Sequence, residues 1–223
     1  MKKAIKDWLW TFLAGFLATV LGIVLTFGIQ NRINERRKTE TARLLAVRIV
    51  DNMGFTHKEL LDYQRVYTII DSCGQILHHA IQADTLDRVN DTIITSFLNG
   101  ILTEYVQVNV DNGLDAYKTE ILDNIGDIEL ISHIERFYAY AREYTSTSGQ
   151  VIEQKRLVTD KVYSHFYGKD EAGLRDFVLY LHNLPECDLF FARLQNINPL
   201  LVIIDQIMKG ELDACRQRLG MQP

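Results

Sequence analysis

Hydrophobic positions are distributed in two contrasting ways along this chain. Residues 8–29, WLWTFLAGFLATVLGIVLTFGI, are apolar on every side, with no ionisable group in 22 positions. Almost everything beyond them sets apolar residues among charges at helical spacing. A run of that length covers about 33 Å as a helix, enough to cross a hydrocarbon core of roughly 30 Å. Polarity jumps at Gln30 and Asn31, and NRINERRKTETAR reads as a charged helix with no Gly or Pro to stop it before Gly54. The pattern divides the chain into a basic flank (1–7), a transmembrane helix (8–29), a juxtamembrane helix (30–55) and a helical bundle (56–223).

Leu44, Leu45, Val47, Ile49, Val50 and Met53 supply the first apolar face of the soluble part. Leu60, Tyr63, Tyr67, Ile70, Leu77 and Ile81 follow in steps that keep to one side of a helix. Thr56 and Glu59 have capping-box spacing after Gly54, so the helix either restarts there or tolerates the glycine. Residues 84–91 are polar and read as a connection. Asp91 caps a helix to about Tyr105, with Ile94, Phe97, Leu98, Ile101 and Leu102 inward. Val106, Val108 and Val110 alternate like a brief extended piece. A helix with Leu114, Tyr117, Ile121 and Leu122 stops near Gly126. Ile128, Ile131, Ile134, Phe137, Tyr138, Ala141 and Tyr144 form an amphipathic helix, which the small polar run TSTSG (145–149) predicts to end in a surface loop. A second helix, 151–167, then returns antiparallel. A turn at 168–173, a helix ending before Pro185 and another over 186–196 follow. Asn198 and Pro199 open a last helix with Leu200, Ile204, Ile207, Met208, Cys215 and Leu219 inward.

The fold class is therefore all-α, one N-terminal transmembrane helix continuing into an antiparallel helical bundle. Only 3 Pro and 13 Gly in 223 residues agree with long helices. The net charge of −5 speaks against nucleic acid as a partner, because the one basic cluster lies beside the apolar run. Cys73, Cys187 and Cys215 have neither zinc spacing nor an even count, and read as small hydrophobes. A Cys187–Cys215 disulfide stays open for a domain outside the cytoplasm.

Lys2, Lys3 and Lys6 ahead of the apolar run resemble a signal-peptide start. The run is longer than a usual signal core, and no A-x-A-like site follows, which favours an uncleaved anchor. Trp8 and Trp10 suit an interfacial aromatic belt. Arg32, Arg36, Arg37, Lys38 and Arg43 outnumber the three N-terminal lysines, which favours a cytoplasmic C-terminal domain; a lysine-rich start favours the reverse, and orientation stays open. Ala14, Ala18, Gly22 and Thr26 recur every four residues, a stripe where a second membrane helix can approach.

No catalytic or cofactor signature is present. HKELL at 57–61 lacks the second histidine of H-E-x-x-H and has Lys58 in place of its glutamate. His78 and His79 are sequence neighbours about a hundred degrees apart on a helix, so they do not converge on one metal. No G-x-S-x-G and no glycine-rich phosphate cradle occurs. Tyrosines crowd the helices around TSTSG, and Tyr138, Tyr144, Tyr163 and Tyr167 are candidates to line a small-ligand pocket.

The junction IQNRINERRK and the later segment LDAYKTEILDNIGDIELISHIERFYAY resemble a family of small single-span bacterial membrane proteins of unknown function. The matching parts, 29–38 and 114–140, cover under a fifth of the chain. The start here is shorter and less basic, and Asn31-Arg32 stands where an aromatic-rich junction is more usual. The resemblance implies a bacterial inner-membrane location with the helical domain outside the cytoplasm. It brings no activity, cofactor or catalytic residue. The expected function is that of a non-enzymatic scaffold, sensor or accessory subunit working through a protein partner or a second copy of itself. The alternatives are a small-ligand-binding sensory four-helix module and an enzyme with dispersed catalytic residues.

Overall fold

The computed structural model describes the backbone of residues 2–103, 110, 114–168 and 172–221, and side chains from residue 16 onward apart from 114–117 within those bounds. The described residues are all-α, with no strand. Six helices follow in order: α1 (Lys2–Gln82), α2 (Asp91–Leu102), α3 (Leu114–Ile125), α4 (Ile128–Phe166), α5 (Leu174–His182) and α6 (Pro185–Leu219). The chain divides into two compact units, one of residues 1–48 with 115–127 and one of residues 49–114 with 128–223.

In the first unit, α1 exposes every described side chain from Phe16 to Thr41, including Leu21, Val24, Leu25 and Phe27. Among the described residues of this unit, Ala42, Ala46 and Ile121 are buried. Thr26 donates its hydroxyl to the Gly22 carbonyl at 2.7 Å, satisfying itself on its own helix. Gly126 ends α3 as expected, at φ 70°, a conformation that suits glycine after a helix.

The second unit is organised by seams at coiled-coil spacing. On α4 the buried positions Leu130, Ile134, Phe137, Ala141, Tyr144, Ser148, Val151, Lys155, Val158 and Val162 advance in alternating steps of four and three. Buried Met53, His57, Leu60, Tyr67, Ile70 and Leu77 keep to one face of α1 in steps of three, four and seven, and Phe190, Leu194, Leu201, Ile204 and Met208 keep to one face of α6 in the same way. Helices α4 and α6 run antiparallel: His133 pairs with Glu211 near one end, and Lys161 with Glu186 near the other. Arg218 also pairs with Glu129.

This seam explains where the sequence expectations fail. TSTSG is not a loop. It lies inside α4, and the predicted pair of helices around it is one helix of 39 residues. Small polar composition suggested a break, but the step from Ala141 through Tyr144 and Ser148 to Val151 is never interrupted. Thr145 and Ser148 are buried and donate to the carbonyls of Ala141 and Thr145 on their own helix. The break at Asn198-Pro199 is likewise absent, because α6 continues through Pro199. Proline forgoes one backbone bond there, and the packing of Leu194, Leu201 and Ile204 carries the helix past it. Continuity fixes the phase, so Leu201 faces inward and Leu200 is 44 % exposed. Gly54 does not restart α1. Leu44 and Ile128, expected inward, are exposed at 66 % and 73 %. The extended piece at 106–110 lies outside the described residues except for Val110, which is buried.

Two short helices close one end of the unit. The cap of α2 is Asn90, one residue before the expected Asp91, and its Oδ1 accepts from the Thr92 N–H at 2.8 Å. At the other end of α2, Thr159 donates to the Ile101 carbonyl at 3.0 Å and the buried Lys155 ammonium to that of Thr103. Both thus serve carbonyls that a helix terminus leaves unpaired. Arg175 of α5 grips Asp91 at 3.0 Å and the Val89 carbonyl at 3.2 Å, tying α5 to the segment before α2.

Gly100 sits where α2 meets α1: a Cβ there would lie 2.5 Å from Ile70 Cγ1, whereas one at Gly210 on α6 meets nothing within 4 Å. Gly100→Ala is expected to lower stability by about 1–2 kcal/mol, overpacking outweighing helix propensity. Gly210→Ala raises it by about 0.5–1 kcal/mol. Urea unfolding followed by circular dichroism checks both signs.

Candidate functional site: a cleft walled by α1, α2, α5 and α6

A cleft of about 320 Å³ opens in the second unit between the end of α1, α2, α5 and the start of α6. Its floor is apolar and buried, formed by Leu77, Phe97, Val178 and Leu181 together with the Cys187 thiol. Its mouth is polar: Gln75, His78 and His79 come from α1, His182 from α5, and Asp188 and Gln195 from α6.

Local sequence accounts for this arrangement. Gly74 occupies a seam position on α1 where a Cβ would fall 2.6 Å from the Phe191 ring. With no side chain there, Phe191 lies against the α1 backbone and stacks parallel to Phe97, ring centroids 6.0 Å apart. One turn later His78 and His79 leave the seam for the mouth, and the His78 ring stands 5.3 Å from that of His182.

The polar groups are tethered. Gln82 Nε2 lies 2.9 Å from His78 Nε2. The pair lies one turn apart on α1 and fixes the His78 ring beside the mouth. The Gln75 and Gln195 amides donate to the two oxygens of Asp71, at 3.0 and 3.5 Å, which leaves their carbonyl oxygens as the accepting ends. No lysine or arginine is among the residues that line the cleft. Among the described residues, no group of three His, Cys, Asp or Glu is placed to hold a metal ion.

A second polar cluster lies deeper. His57 Nε2 meets Asp205 Oδ1 at 2.7 Å, joining α1 to α6. Tyr144 donates to the Leu60 carbonyl at 3.1 Å, joining α4 to α1. Burial, then the Asp205 charge, raises the Tyr144 phenol well above its ordinary range. These groups sit in the packed seam and serve as ties between helices. The sequence holds a signal for His57, its place in step with Met53 and Leu60. Nothing local in the sequence points to Asp205.

Of the four tyrosines expected to form a pocket, Tyr138 and Tyr144 are buried, while Tyr163 and Tyr167 are exposed at 60 % and 90 %. None of them lines the cleft. Ala18, Gly22 and Thr26 are exposed on α1; the side chain of Ala14 lies outside those described. The cysteines are free thiols. Cys187 and Cys215 lie on one helix, about 42 Å apart by helical rise, so no disulfide joins them.

Comparison with known proteins brings no match: no family model fits the chain, and no curated protein or solved structure is similar to it.

Burial, then the neighbouring Asp188 carboxylate, pushes the Cys187 thiol up from 9.0 to about 12. The native state therefore keeps a proton that the unfolded chain loses above pH 9, so this group's favourable contribution is complete below pH 9 and disappears as pH climbs towards 12. In thiol titration at pH 8, half-buried Cys73 is expected to react first, and Cys187 and Cys215 only on unfolding. Cys73→Ser removes the early phase.

Proposed function

We propose that this chain is a single-span, membrane-anchored helical module of the bacterial inner membrane that works through protein contacts and performs no chemistry of its own. The carrying observation is the exposed apolar surface of α1: from Phe16 to Ile29 every side chain faces outward, at 50–67 % for Leu21, Ile23, Val24, Leu25 and Phe27. Soluble proteins seldom leave so long an apolar surface to water, and lipid covers it without further partners. Two helices, α1 from Phe16 and α6, are long and apolar enough to cross a membrane. Nine side chains of α6 are buried, although Leu200, Val202 and Ile203 are exposed, and its carboxylates Asp205 and Glu211 pair with His57 and His133. That supports α1 as the one span.

A sensory module that binds a small ligand is the second reading, and the cleft favours it. Helix α1 carries both the apolar segment and one wall of the cleft, on Gly74, Leu77 and His78. The resemblance in 29–38 and 114–140 supports a domain outside the cytoplasm, whereas the excess of Arg and Lys after the span supports the opposite.

Full-length protein is expected to stay in the membrane pellet through alkaline carbonate extraction. Replacing Leu17 and Leu21 by arginine costs about 3–4 kcal/mol of insertion free energy per residue and moves the protein to the supernatant. Recovery of the unaltered chain in the supernatant overturns the anchor. A reporter enzyme fused to the C-terminus decides the orientation.

A further inference from the structure

We infer that the cleft between α1, α2, α5 and α6 is a binding site for a small organic cation, an amine with a one-ring or similarly compact apolar body. The inference rests on the sensory reading and is independent of the anchor. A volume of about 320 Å³ lies at the small end of the roughly 300–1,000 Å³ typical of ligand pockets. It suits a single ring with a short chain better than a nucleotide or a fused ring system. The floor of Leu77, Phe97, Val178 and Leu181 demands an apolar body.

The mouth selects the charge. From α6 it presents the Asp188 carboxylate and from α1 and α6 the glutamines Gln75 and Gln195, whose amide N–H groups are turned to Asp71. The glutamine oxygens and the single Asp188 carboxylate thus face the cleft, with no lysine or arginine among the residues that line it. The Phe97 and Phe191 rings add the electron-rich faces that attract ammonium groups. His78 and His79 from α1 and His182 from α5 are the remaining titratable groups at the mouth; α2 contributes only Phe97, and Cys187 lies on the floor.

The test compares three probes of one shape on the full chain in lipid nanodiscs by isothermal titration calorimetry: 2-phenylethylamine, 2-phenylethanol and 3-phenylpropionate. At pH 8 the amine is expected to bind roughly five- to tenfold more tightly than the alcohol, and the acid more weakly than either. Asp188→Asn, an exposed position, removes most of the lead while the alcohol binds as before. Ala192→Trp, at the rim, blocks all three. Preference for the acid or the alcohol, or an amine preference indifferent to Asp188→Asn, overturns the cationic assignment and leaves a ligand site. Absence of binding by all three probes in folded protein overturns the assignment and the sensory reading together. Carbonate extraction reports separately on the anchor.

Discussion

The interlocking of α4 and α6 with the latter part of α1 is the constraint on which the second unit depends. Ten positions of α4, Leu130 to Val162, are buried in unbroken steps of four and three. No isolated helix of this composition is stable by propensity, since tertiary burial of an apolar stripe supplies most helical stability. Each seam therefore holds its own helix together by holding its neighbour. This is why α6 runs through Pro199: the lost backbone bond costs about 3 kcal/mol in an unsupported helix, less than several buried aliphatic side chains return.

A seam of uniform aliphatic steps would permit sliding by a heptad, and the polar residues placed on it forbid that. His57 reaches Asp205, Tyr144 reaches the Leu60 carbonyl, and Glu211 meets His133 at 2.5 Å and Arg136 at 3.3 Å. A slip would strand buried His57 and Tyr144 without their partners, and an unpaired buried polar atom costs about 1–3 kcal/mol. Buried polar residues that set register are a known use of such groups in coiled coils. Lys155 acts similarly for α2, since its ammonium is satisfied on Thr103 only if that helix ends beside it.

Much of this was legible in the amino-acid order. The all-α class, the α1 face from Leu60 to Leu77, the inward residues of α2, the stop at Gly126 and the break before Pro185 follow from periodicity and glycine or proline signals. The two helix breaks that the structure lacks share one cause: at TSTSG and at Asn198-Pro199 the local composition suits a break, whereas the seam continues on both sides. Ser148 keeps the step between Tyr144 and Val151, but a serine in isolation gives no sign of burial. The cleft was illegible for a different reason: its residues come from four helices, and only their packing brings His78 of α1 within 5.3 Å of His182 of α5. The crowd of tyrosines was visible, yet exposure separates Tyr163 and Tyr167 from the buried Tyr138 and Tyr144.

The cleft is a consequence of how the seam ends. Along most of α1 each inward position is filled by a large side chain such as Tyr67 or Ile70, but position 74 is glycine and its space is taken by Phe191 from α6. Filling a seam from the opposite helix draws an aromatic ring across the interface and leaves room beside it, which α2 and α5 only partly close. Beyond that point α1 turns polar, so the gap acquires a histidine and glutamine mouth over an apolar floor. Its rim side chains are already paired, Gln75 and His78 along α1 with Asp71 and Gln82, and Gln195 from α6 across to Asp71. For a ligand of the kind proposed, a rim that is already paired lowers the cost of ordering side chains on binding.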